Sequence, residues 1–110
     1  MPVSDEYLTY VIDQLECVGP VQARQMFGGA GLYCDGLFFA IVADDVLYFK
    51  VDDSNRPDYE SAGMEPFRPF PDKSNVMQYY EVPIEALENR DTLYNWARKA
   101  LDVAERKADK

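Results

Sequence analysis

Residues 21–51 read VQARQMFGGAGLYCDGLFFAIVADDVLYFKV. Val21 to Phe27 has strand composition, and Leu32 and Tyr33 resume it after the glycines. Cys34-Asp35-Gly36 is a tight-turn signal, because Asp-Gly tolerates the left-handed backbone that hairpin turns need. Leu37 to Val42 is too apolar to alternate, so it reads as a central strand covered on at least one face. Ala43-Asp44-Asp45 makes a second turn, and Val46 to Val51 is the next strand. Short strands joined by tight turns predict an antiparallel meander.

Outward from this core the period changes. Tyr7, Leu8, Val11, Ile12, Leu15 and Val18 recur at spacings of three and four, which is one face of an α-helix. Ser4 is its expected N-cap, and Gly19-Pro20 stops it. Downstream, Ser54 is read as the cap of a short helix through Tyr59 and Ala62 that ends at Gly63. Residues 64–72 place Pro66, Pro69 and Pro71 among Phe67 and Phe70, which excludes helix and central strand. Val76 to Val82 reads as strand, and Ile84 to Leu87 as a turn of helix. Asn89 or Asp91 caps a last helix whose apolar stripe is Leu93, Trp96, Ala97, Ala100, Leu101 and Ala104. The order predicts one two-layer α+β domain over 1–110. Its antiparallel sheet carries the N- and C-terminal helices on one side, and its other face is partly open. The expected core includes Leu8, Ile12, Leu15, Phe39, Ile41, Leu47, Phe49, Trp96, Ala100 and Leu101. By period two, Phe39 and Ile41 share a strand face, as do Leu47 and Phe49.

Composition removes several functions. The 110 residues hold 20 acids, 11 bases and no histidine, for a net charge of −9. Imidazole chemistry is excluded, and a nucleic-acid footprint lacks its basic face. Residues 1–20 carry four acids and no base. Bases cluster only on the last helix, as Arg98, Lys99, Arg106, Lys107 and Lys110, interleaved with Asp102, Glu105 and Asp109. They read as a solvated face with pairs such as Asp102–Arg106. Cys17 and Cys34 are too few for a disulfide framework or zinc site. With no signal segment and no membrane-length apolar run, the expected location is the cytoplasm.

Asp44-Asp45 and Asp52-Asp53 fall in turns, where water screens both carboxylates of each pair, so no acid–base machinery is read there. No nucleophile elbow or metal-ligand spacing occurs, and no catalytic residue, cofactor or metal is expected. The unusual stretch is Arg24 to Tyr33. Gly28, Gly29 and Gly31 suggest a bulge or corner where φ > 0 or close backbone approach excludes a Cβ, and at least one of them is expected to adopt φ > 0. A phosphate-cradling loop at Gly28–Gly31 is the ligand-binding alternative.

Arg24-x-Met26-Phe27-Gly28-Gly29-x-Gly31-x-Tyr33, then Gly36-x-Phe38-x-Ala40, Leu47 to Asp52, Tyr79-Tyr80-Glu81-Val82-Pro83 and Trp96-Ala97-x-x-Ala100 resemble the N-terminal domain of the TfoX/Sxy family in order, over about residues 4 to 104. The resemblance implies a fold similar to the type III secretion chaperones and no enzymatic activity. Full-length members regulate natural competence with the cyclic-AMP receptor protein and carry a second, helical domain. A stand-alone version of the first domain is therefore expected here. The expected function is a non-enzymatic regulatory or protein-interaction module. Direct nucleic-acid binding and small-ligand binding at Gly28–Gly31 are the alternatives. The expected partner is a protein, with the transcription machinery and a second copy of the chain as candidates. Neither direct DNA binding nor membrane contact is expected. The candidate interaction residues are Arg24, Met26, Phe27, Gly28, Gly29, Gly31, Tyr33, Lys50, Tyr79 and Tyr80.

Overall fold

In a computed structural model, which describes residues 5–26, 29–43, 45–66 and 78–108, the elements follow the predicted order. Helix α1 spans Asp5–Gln14 and tightens into a 3₁₀ turn over Leu15–Val18. Its expected cap, Ser4, lies outside the described residues. Strands β1 (Val21–Met26), β2 (Gly29–Cys34), β3 (Leu37–Ala43) and β4 (Val46–Lys50) follow. Helix α2 (Arg56–Ser61), strand β5 (Tyr79–Glu81), helix α3 (Ile84–Glu88) and helix α4 (Arg90–Ala108) complete the chain. The sheet order is β1-β2-β3-β4-β5, every pair antiparallel. This is the predicted meander, with β5 added beside β4.

The turns obey local chemistry. Asp35 and Gly36 have φ of 52° and 80°, so both central residues are left-handed. Such a turn matches the right-handed twist of the strands it joins. Asn89, one of the two expected caps, accepts a hydrogen bond at Oδ1 from the Thr92 amide at 3.1 Å. That satisfies one of the orphan amides at the start of α4. Ser54 does not cap α2. Asn55 occupies that position, and the Ser54 amide and hydroxyl both donate to Asp52 instead.

The main core lies between one sheet face and the helices. Leu15, Leu32, Phe39, Leu47, Phe49, Leu93, Ala100 and Leu101 are buried there. Leu8 and Trp96 are half-buried against it. Trp96 meets the buried Tyr59 ring edge-on at 4.6 Å. Gln14 ties α1 to the far end of the chain, donating to the Leu87 carbonyl at 2.9 Å and accepting from Arg90 Nε at 3.0 Å. Among the described residues no helix is long and apolar enough to cross a membrane.

Ile12, expected in the core, is half-buried and in neither cluster of described residues, and one expectation about strand faces fails. Phe39 and Ile41 do not share a face: Phe39 is in the main core, and Ile41 belongs to a second cluster on the opposite face. The cause is a register shift. Leu32 pairs with Ala40, but Tyr33 pairs with Phe38, so Phe39 is an extra residue in β3. A β-bulge of this kind turns two consecutive residues to one side. Phe39 and Ala40 both enter the main core, while Phe38, Ile41 and Ala43 join the other face.

Candidate functional site

The bulge and the strand alternation gather a second set of side chains on the sheet face away from the helices. Tyr33 of β2 stacks on Phe38 of β3, ring centroids 5.0 Å apart and planes 20° apart. Phe38 meets Tyr79 of β5 at 5.5 Å. The Lys50 ammonium lies 5.4 Å from the Phe38 ring and 5.7 Å from the Tyr79 ring. On β1, the Arg24 guanidinium covers the Tyr33 ring at 5.7 Å. Cation and ring attract through the ring quadrupole, by about 0.5–1 kcal/mol where water reaches the pair. The result is a continuous row, Arg24–Tyr33–Phe38–Tyr79, with Lys50 against its inner end.

This face is less open than its alternation suggests. Ile41 and Tyr79 are buried at its centre, and Tyr33, Phe38, Tyr48 and Lys50 are half-buried. Burial pushes the Tyr79 hydroxyl well above its ordinary range, with Tyr33 adding to the effect. Tyr79 is therefore a neutral donor at any physiological pH. Exposure increases toward β1, where Gln22, Ala23, Arg24 and Gln25 are all exposed.

Of the predicted residues, Arg24, Tyr33, Lys50 and Tyr79 come together in this row. Met26 ends β1 opposite Gly29. Phe27 and Gly28 lie outside the described residues. Tyr80 is on the other face. Its ring packs 5.9 Å from Tyr59, and its hydroxyl donates to Glu60 at 3.5 Å. It leaves the candidate site because successive residues of a strand point oppositely. Tyr48, expected with Tyr33, Tyr79 and Tyr80 as an aromatic anchor, packs on this face. Phe38 and Ile41 were missed, and period two without the bulge assigns Ile41 to the main core.

The glycine expectation changes form. Gly29 and Gly31 are inside strand β2, not in a loop, and neither has positive φ. Gly31 pairs with Arg24 on one side and Ile41 on the other. Its strand is committed to two ladders, so Gly29–Gly31 is no phosphate cradle. Gly29 is needed for close approach. A Cβ there would lie far inside contact distance of the Val42 carbonyl oxygen and 3.1 Å from the Ala43 Cα.

Three bases of the predicted cluster on α4 are engaged, and the Lys107 side chain and Lys110 lie outside the described residues. Lys99 pairs with Asp58 at 2.9 Å, Arg106 with Asp52 at 2.9 Å, and Arg98 with Asp102 at 3.6 Å. The expected Asp102–Arg106 pair gives way to Asp52, which also accepts from Ser54, while Arg106 donates to the Ser54 oxygen at 2.9 Å. Desolvation alone would raise the Asp52 carboxyl. Hydrogen bonds from the Ser54 hydroxyl, the Arg106 guanidinium and the Ser54 amide outweigh it and hold the group at about 2.

Two concavities are lined by described residues. One, of about 170 Å³, lies over Cys34 between Val18, Arg98 and Asp102. Burial, then the charge of Asp35, pushes the Cys34 thiol up, and it donates to the Val18 carbonyl at 3.8 Å. A protonated, hydrogen-bonded thiol is a poor nucleophile. The other, of about 110 Å³, lies between Tyr7, Val46 and Ile84. Burial, then Asp45, pushes the Tyr7 hydroxyl up to about 12. Among the described residues no three His, Cys, Asp or Glu side chains gather as a metal site.

These observations define an α+β domain whose distinctive surface is a cation-capped aromatic row on a five-stranded antiparallel sheet. Residues 13–104 match the model of the TfoX N-terminal domain, and the chain belongs to that family. No curated protein matches the chain.

Proposed function

We propose that this domain is a non-enzymatic regulatory module of the competence-regulator kind. It acts by binding another protein on the sheet face away from the helices, from its β1 side. The observation that carries this reading is the Arg24–Tyr33–Phe38–Tyr79 row with Lys50. Aromatic rings beside arginine, half-buried and held in fixed geometry, are the composition of binding hot spots. Family membership supports the regulatory part of the reading. The nucleic-acid alternative needs free bases on α4, and Arg98, Lys99 and Arg106 are each paired with a carboxylate.

The test is complementation of a deletion strain, with transcript levels as readout. The parent chain restores the wild-type pattern, and a folded Arg24→Glu variant does not. Sub-micromolar binding of duplex DNA at physiological salt, lost when Arg98, Lys99 and Arg106 are neutralised, would overturn the reading in favour of the nucleic-acid alternative.

A further inference from the structure

Among the described residues, the middle of strand β1 is exposed on both faces, while Val21 at its start packs against the core. Gln22, Ala23, Arg24 and Gln25 are consecutive and exposed, although alternate residues of a strand point to opposite sides. β1 is also an edge of the sheet, and no described element pairs with its outer side. The other edge is closed. Pro66 bridges Tyr80 of β5, and the Glu81 amide donates to the Glu65 carbonyl at 3.0 Å. Open edges are usually guarded by charge. The one charge on β1, Arg24, is laid back over Tyr33 at 5.7 Å.

We propose that two copies of this chain pair through β1, antiparallel about a two-fold axis, into one ten-stranded sheet. Charge selects the occupant. Two chains of net charge −9 repel each other, but residues 17–34 contain no acid and one base, Arg24. There two copies approach with least repulsion. An acidic strand from another protein meets the repulsion of the whole chain, and a basic one finds no carboxylate among residues 17–34. With a single open edge among the described residues, pairing closes at the dimer and builds no filament.

Register follows from the faces. A two-fold axis perpendicular to the sheet keeps like faces together, so Gln22 and Arg24 face the aromatic side in both copies. The centre is then Ala23 or Arg24. Centring on Arg24 sets two guanidinium groups directly opposite, which is unfavourable. Centring on Ala23 sets Ala23 against Ala23 and Gln22 against Arg24 of the second copy. The two aromatic rows then lie on one continuous surface.

The dimer does not depend on the function proposed above. In a Cys17→Ser background, Ala23→Cys is expected to oxidise to a covalent dimer. Directly opposed Cα atoms are about 4.5–5.5 Å apart, within the disulfide range. Gln25→Cys is not expected to cross-link, because the two copies of residue 25 are offset by about 13 Å. Light scattering is expected to give a dimer mass for the parent and a monomer mass for Ala23→Asp, which sets two carboxylates face to face at an exposed position. A parent that stays monomeric at hundreds of micromolar, an Ala23→Asp variant that dimerises like the parent, or Ala23→Cys that fails to cross-link would overturn the proposal. A monomeric parent that still captures a protein partner would defeat the dimer and leave the function standing.

Discussion

Replacing Gly29 by alanine tests why this stretch is glycine-rich. Gly29 pairs with Met26 at the start of β2, in ordinary strand conformation, so a side chain there meets no backbone strain of its own. The obstacle is steric. The added Cβ would overlap the Val42 carbonyl oxygen and approach the Ala43 Cα to 3.1 Å and the Val42 carbonyl carbon to 3.2 Å. These are backbone atoms at the end of β3, and they cannot rotate away. The strands must separate locally, and overpacking of this kind costs about 1–3 kcal/mol. Contact with backbone places Gly29→Ala at the upper end, about 2–3 kcal/mol. Gly36→Ala is the control. At φ of 80°, with nothing within 4 Å of its added Cβ, it carries only conformational strain, about 1 kcal/mol. Urea unfolding followed by the fluorescence of Trp96, the only tryptophan, measures both. The expected order is parent, then Gly36→Ala, then Gly29→Ala, with unchanged denaturant slopes. A Gly29→Ala variant as stable as Gly36→Ala would refute the close-approach argument.

Three further outcomes follow from the packing. Asn55 is 1% exposed; its Oδ1 accepts from the Asp52 amide at 2.8 Å and its Nδ2 donates to the Lys50 carbonyl at 3.1 Å. Asn55→Ala strands both partners and is expected to cost about 2–3 kcal/mol in the same urea assay. Asp52 titrates below its unfolded value, so its contribution is present above about pH 4 and is lost as pH falls toward about 2. The stability gap between parent and Asp52→Asn should be about 1 kcal/mol at pH 6, discounted for solvent screening, and close by about pH 2. The Tyr59 hydroxyl is buried with no hydrogen-bond partner among the described residues, so thermal melts of Tyr59→Phe should show no loss and a gain of up to about 1 kcal/mol.

Local signals in the chain were legible. The three- and four-residue spacing from Tyr7 to Val18 and from Leu93 to Ala104 marks α1 and α4, and Asp35-Gly36 marks its turn. What was illegible depends on contacts distant in sequence. The bulge at Phe39 leaves no compositional trace, yet it decides that Ile41 and Phe38 stand with Tyr33 on the far face. Arg106 has an acid one turn away, and finds Asp52, 54 residues earlier, because β4 and α2 bring that carboxylate beside α4. Asn55 looks like an ordinary turn residue, but its amide closes the end of β4. Tyr79 and Tyr80 are indistinguishable as a dipeptide, and only the pairing of β5 with β4 assigns them to opposite faces.

Docking of a protein partner on the aromatic row is the proposed function. It is tested most directly by placing the photoreactive analogue benzoylphenylalanine at Tyr33, and separately at the exposed Tyr94 of α4, in the native cell. A discrete adduct with a different protein is expected from position 33 and none from position 94. That adduct should disappear when Arg24→Glu is added to the chain. Capture from position 94 alone, or an adduct from position 33 that survives Arg24→Glu unchanged, would contradict it.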